Sequence, residues 1–182
     1  MMVGSKRRAV ILSLIESMRD KGGWCGETHI QKGTYFLQEL MKVPTEFDFI
    51  LYKHGPFSFE LRDELSNMRA DMILEIQGHF PLGPSHIPGK GADSLKQYYP
   101  KTIRKYKEKV EFISEKLSGF GVAQLERVAT SLYVTLNEKE GQSLTKRAEK
   151  IVALKPHIKI DQAIEATETI DTLIKEVEQT FS

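Results

Sequence analysis

Residues 26–74 read GETHIQKGTYFLQELMKVPTEFDFILYKHGPFSFELRDELSNMRADMIL. Thr28-His29-Ile30-Gln31 has capping-box spacing, in which a hydroxyl and a side-chain amide satisfy opposite ends of a helix's first turn. Ile30, Leu37, Leu40 and Met41 supply an apolar face, and Pro44 stops the helix. Phe47 to Tyr52 is too short for a helix and rich in aromatic and branched side chains, which predicts a buried strand. His54-Gly55-Pro56 breaks that strand. Ser58 then caps a third helix whose Leu61, Leu65 and Met68 face inward.

On the N-terminal side, Ile11, Leu14, Ile15 and Met18 form one stripe at helical spacing over Arg7 to Arg19, ended by Gly22-Gly23. On the C-terminal side, Met72 to Ile76 reads as a strand, residues 78–93 as a Gly/Pro-rich loop, and Leu95 to Tyr99 as the returning strand. Four helices follow. Ile103, Tyr106, Val110, Ile113 and Leu117 mark the first, and Leu125, Val128, Leu132 and Leu136 the second. The third covers about Leu144 to Leu154 before Pro156, and the last runs from about Asp161 to Phe181. The expected fold is mainly α with a small β hairpin (α+β). It consists of a winged-helix-like core over residues 1–100 and a helical annex over 101–182, packed as one compact domain.

An apolar fraction of 40%, a charged fraction of 28% and a net charge of +1 describe a globular chain with no global field toward nucleic acid or membrane. The lone Cys25 excludes an internal disulfide and a thiolate cluster. The basic, then apolar N-terminus resembles a secretion signal until Glu16 interrupts it with no small-residue cleavage site behind, so Lys6 to Arg19 is expected as an amphipathic helix. No run approaches the roughly 18 apolar residues of a membrane span. The expected location is cytoplasmic.

The segment His29-Ile30-Gln31-Lys32 continuing to Tyr35-Phe36-Leu37-Gln38, then Phe49 to Tyr52 with Lys53-His54-Gly55-Pro56-Phe57-Ser58, then Leu61, Leu65 and Asn67-Met68-Arg69, resembles the bacterial YwgA-like family. That family is similar to the SocA-like, or Panacea, antitoxin domains. Leu154-Lys155-Pro156 and the helix from Ala163 also resemble it. Gly33 departs from the pattern, which calls for a larger apolar residue, and weakens its helix by roughly 1 kcal/mol against Ala. The resemblance implies a module of toxin–antitoxin or phage-defence loci that neutralises a partner protein by binding it. It implies no catalytic residues and no cofactor.

The residues themselves offer several candidate sites. Cys25 and His29 are four apart, but a zinc site needs two further ligands, and His54, His79, His86 and His157 show no helical spacing to one another. Cys25 beside Trp24 matches no nucleophile signature. Gly89-Lys90-Gly91 suggests a phosphate loop, yet Pro84 and Gly91 stand where that motif requires Gly and Ser or Thr. Neither a catalytic nor a metal site is assigned.

Lys53, His54 and Phe57 around the Gly-Pro turn, with Arg62 and Arg69 on the third helix, are the candidate partner-binding residues. Nucleic acid is the alternative partner. The segment 57–77 carries a net charge of −3, the wrong sign for a recognition helix. Residues 95–110 instead carry +5, with Lys96, Tyr98, Lys101, Arg104, Lys105 and Lys109 as the candidate contacts. The segment 160–182 carries −5, which suits either a basic partner or the chain's own basic helix. The expectation is a non-enzymatic protein-binding module that occludes a partner protein; a winged-helix nucleic-acid-binding regulator is the alternative.

Overall fold

The apolar stripe of the first helix is wider than its spacing alone suggests. In the computed structural model, which describes residues 4–78, 83–137 and 142–181, α1 (Gly4–Asp20) buries Ala9, Val10, Ile11, Leu12, Leu14, Ile15 and Met18. So broad a face marks a helix enclosed by neighbours rather than one lying on a surface. Those neighbours are α2 (Glu27–Glu39), α4 (Ala92–Tyr98), α5 (Pro100–Leu117) and the strand β4 (Ser85–Pro88).

Helix α2 is buried without interruption from His29 to Leu37. It starts two residues earlier than the capping box requires. Gly26 is the N-cap and no side chain caps it, so Thr28 lies inside the first turn. Gln31 points elsewhere. Its Nε2 donates to the Ser58 carbonyl and its Oε1 accepts from the Ser58 N–H, both at 2.9 Å. Gly33 sits where α2 meets α1: a Cβ there would lie 3.0 Å from a Leu14 methyl carbon. A side chain at Gly33 would therefore require Leu14 to give way by a few tenths of an ångström.

Ser58 caps α3 (Phe59–Ala70), its hydroxyl accepting from Leu61 N–H at 3.2 Å, and Leu61, Leu65 and Met68 are buried as expected. Before it, only Ile50 to Tyr52 of the expected six-residue buried strand pairs as a strand, β1 (Ile50–Tyr52), and it is not buried: Ile50 and Tyr52 are exposed. The Phe49 ring instead lies 5.1 Å from Tyr35 and 6.4 Å from Phe47, and the Gln38 amide bonds the N–H and carbonyl of Phe47. Strand β1 pairs antiparallel with β2 (Gly55–Phe57), from Ile50 opposite Phe57 to Tyr52 opposite Gly55. Gly55 takes a left-handed φ of 82°, open to glycine at little steric cost.

The second hairpin joins β3 (Leu74–Gln77) to β4, with Leu74 opposite Pro88 and Gln77 opposite Ser85. This corrects the expected return strand. Leu95 to Tyr99 does not pair; Ala92 and Leu95 are the buried side of α4, and the strand lies within the Gly/Pro-rich segment. Residues 79–82 of that expected loop lie outside the described residues. The glycines around Lys90 have a backbone purpose. Gly89 N–H and Gly91 N–H donate to the carbonyls of Ile73 and Met72, and a Cβ on Gly89 would come within 2.4 Å of the Met72 oxygen. Gly89-Lys90-Gly91 is therefore a close backbone crossing.

The protein is mainly helical with two small antiparallel strand pairs, an α+β fold. It divides into two compact units. The first comprises residues 1–49 and 58–120, where α1, α2, α3 and the β3–β4 hairpin follow in chain order, with α4 and α5 after them. Helix α5, placed in the annex by sequence, belongs here. The second comprises residues 50–57 and 121–182: the β1–β2 hairpin with α6 (Val122–Asn137), α7 (Leu144–Leu154) and α8 (Ile160–Phe181). Its core gathers Val134, Ala148, Ile151, Ile158 and Ala163, and Arg147 pairs through both terminal guanidinium nitrogens with Asp171 of α8.

Candidate functional site

The Lys53-His54-Gly55 turn is fastened from below by residues far along the chain. The Lys155 ammonium, just past α7, donates to the carbonyls of Tyr52 and Lys53, the latter at 2.8 Å. Burial pushes Lys155 below the usual lysine range, and the negative charge of Glu126 works against that shift. Glu126 projects from α6 with its side chain only 8% exposed. Its carboxylate lies between two imidazoles, 2.9 Å from His157 Nε2 and 3.4 Å from His54 Nδ1. Lys53 and His54 themselves are exposed, Phe57 is half-buried, and the Tyr52 and Phe57 rings lie 5.8 Å apart. With its ammonium committed to two carbonyls, Lys155 is a clamp and not a nucleophile.

Arg62 and Arg69 belong to the other unit, on α3, so the five candidate contact residues fall into two separate sets. The Arg62 guanidinium lies over the Phe59 ring at 5.0 Å and 3.3 Å from Asp63, with its side chain 48% exposed. Arg69 is tied down, with Nη1 3.2 Å from His86 Nε2 and Nη2 donating to Ser66 at 3.0 Å. It braces α3 against the wing.

The negative charge counted along 57–77 is largely neutralised. Arg7 bonds Glu60 and Glu64 at 2.7 and 2.8 Å, while Arg8 bonds Glu64 and, at 2.7 Å, Asp71. Burial works against the charge on both arginines, but the hydrogen bonds to these carboxylates outweigh it and raise their pKa. Arg7 also lies 4.5 Å over the Phe47 ring. The outer face of α3 exposes the Phe59–Arg62 stack with Asp63, Ser66 and Asn67, together with Glu60 and Arg69.

The basic segment divides in the same way. Lys96 bonds Glu16 at 2.8 Å and Asp93 at 3.1 Å, Lys107 lies 3.7 Å from Glu111, and Lys109 donates to the Met41 carbonyl at 2.7 Å. Lys96 and Lys109 are thus structural. Lys101, Arg104, Lys105 and Tyr98 remain exposed. On acidic α8, Asp171 is engaged by Arg147, while Asp161, Glu165 and Glu168 are exposed.

The remaining histidines and the thiol are accounted for by local structure. His29 Nε2 lies 3.1 Å from the Phe120 carbonyl, and His86 receives Arg69 while its backbone N–H donates to Cys25. Cys25 is buried with its Sγ 3.5 Å from the Ile15 carbonyl. Burial pushes its thiol up to about 11, the Arg19 charge offsetting this only partly, so it is not a thiolate near neutrality. Among the described residues no three His, Cys, Asp or Glu side chains are grouped to hold a metal, and His79 lies outside them. No helix among them is long and apolar enough to cross a membrane.

No protein-family model matches the chain, and no curated protein matches it. Glu126, Lys155 and His157, which complete the hairpin site, carried no signal in the sequence beyond Leu154-Lys155-Pro156. Their significance depends on pairing between segments roughly a hundred residues apart, as Lys155 and Lys53 are.

Proposed function

We propose that this chain is a non-enzymatic protein-binding module of antitoxin-like type, acting in a toxin–antitoxin or phage-defence setting by occluding a partner protein. The observation that carries the reading is the Phe59–Arg62 stack on the outer face of α3. An exposed phenylalanine ring with a guanidinium laid across it pairs two side-chain types enriched at protein interfaces, of which arginine is also a frequent hot spot. Arg7 and Arg8 of α1 pair with Glu60, Glu64 and Asp71, so the acid nearest the stack without an α1 partner is Asp63, which pairs with Arg62 itself. The hairpin clamp supports the same reading. Lys155 and Glu126 are engaged in holding a turn, and their positions suit a scaffold that presents Lys53 and His54.

The test begins with purification of the tagged chain from its host and identification of a protein recovered in near-equal amount. The joint Phe59→Ala and Arg62→Ala variant is expected to lose at least tenfold in affinity for that purified protein, with a melting temperature close to the parent's. Arg69 is left intact because it supports the wing. Full affinity in the double variant would remove the α3 face from the reading, and failure to recover any stoichiometric protein would count against the module itself.

A further inference from the structure

The cations of α5 are distributed in a way that self-pairing does not explain. Lys96, Lys107 and Lys109 flank the start of the helix and all have partners in the first unit. Lys101, Arg104 and Lys105 lie between them, spaced by three and four residues on one face, with no carboxylate in ion-pair range among the described residues. The opposite face, through Tyr106, Val110, Ile113 and Leu117, is buried, so the cationic face is directed outward. Glu108 marks its far end.

Two further observations define the ligand. The three cations occupy the first two turns of an 18-residue helix whose opening turn holds no acidic residue. The positive end of a helix disfavours cations there, a local cost that an anionic ligand offsets. Immediately before them, closing α4, Tyr98 is 80% exposed. Lys105 Nζ lies 5.2 Å over the Tyr106 ring, but among the described residues none of the three cations has a carboxylate partner. The open Tyr98 ring beside them therefore supplies a stacking surface as well as phosphate contacts. A duplex hides its base faces and cannot use the ring. We infer that Tyr98, Lys101, Arg104 and Lys105 form a binding surface for single-stranded nucleic acid, with phosphates on the cations and an unpaired base on Tyr98. This surface shares no residue with the α3 stack, so either can fail alone.

Fluorescence anisotropy of a labelled 12-nucleotide oligo(dT) and oligo(U) with the full chain tests it. Binding is expected to weaken with salt with a logarithmic slope of about −2, the value for three phosphate contacts on a single strand. The Lys101→Glu, Arg104→Glu and Lys105→Glu triple variant is expected to lose more than tenfold in affinity while keeping its circular dichroism and melting temperature. Tyr98→Ala is expected to lose about fivefold or more on the oligonucleotides and nothing on inorganic polyphosphate, which has no base to stack. Unchanged affinity in the triple variant would overturn the site. Equal affinity of parent and Tyr98→Ala for the oligonucleotides, or tighter binding of the matching duplex, would overturn the single-strand assignment.

Discussion

His86 shows how an unremarkable residue acquires a sign. Its imidazole is buried between the Arg69 guanidinium and the Cys25 backbone, and burial first, then the Arg69 charge, pushes its pKa below the ordinary 6.5. Because an arginine only donates, His86 Nε2 accepts and the proton sits on Nδ1; a hydrogen bond to the Cys25 backbone opposes the shift only partly. Burial lowers the pKa of His29 as well, the Phe120 carbonyl only partly opposing it. Just below pH 6.5 the unfolded chain therefore binds protons that the folded chain refuses. Both contributions are intact above the unfolded value and are lost as the pH falls toward the depressed folded ones. The denaturation midpoint is expected to drop between pH 7 and pH 5, each histidine adding up to about 1.4 kcal/mol per pH unit within its window. His86→Gln, which keeps an acceptor for Arg69, is expected to flatten that dependence relative to the parent. Parallel pH profiles for the two proteins would show that His86 takes its proton as readily in the folded state. None of this is visible in the spacing of the histidines, which excludes a helical metal pair and says nothing of burial beside an arginine.

Where a pattern rests on neighbours along the chain, the elements follow it. The α3 cap at Ser58, the inner faces of α3, α5 and α6, and the limits of α7 all depend on contacts within a few turns. The errors arise where a side chain has a distant claim on it. Gln31 has the spacing of a capping residue, but both ends of its amide are used by Ser58, 27 residues away. Gly33 reads as a defect in α2 until Leu14 is seen against it. The wing's second strand was hidden among glycines and prolines because Ser85 to Pro88 is short and its identity comes from pairing with Leu74 to Gln77. Gln31 gives the sharpest consequence. It and Ser58 are fully buried, so Gln31→Leu leaves the Ser58 N–H without a partner exactly where α3 begins. The substitution is expected to cost about 1–3 kcal/mol. Gln31→Ala adds a cavity to that cost and is expected to be worse. Chemical denaturation of the two variants checks it, and a Gln31→Leu protein as stable as the parent would mean that the amide bonds add nothing to the docking of α3.

The same limit governs the division of the chain. Eight residues leave the first unit at Ile50, form a hairpin that belongs with α6, α7 and α8, and return at Ser58. No composition shift marks either crossing, so the sequence reads as one run from α2 to α3, and the expected boundary at residue 100 separates α5 from the helices it packs on. The register explains why the detour is tolerated. Ile50 and Phe57 are directly paired, and paired strands place their Cα atoms about 5 Å apart, so the insertion leaves the first unit through a narrow gap. A short glycine linker from Phe49 to Ser58 should therefore close the first unit, and residues 1–120 so rejoined are expected to fold. The second unit has the opposite dependence. Without the hairpin, residues 121–182 lose the strand β2 that packs on α6 and the two carbonyls that hold the Lys155 ammonium. That fragment is expected to be helical by circular dichroism but to melt broadly. Joined to residues 50–57 through a flexible linker, it is expected to regain a cooperative transition, which Lys155→Met again removes or lowers. The reverse result, a rejoined first unit that fails to fold beside a cooperative 121–182 fragment, would assign the hairpin's stability to the first unit and leave the Lys155 clamp without energetic weight.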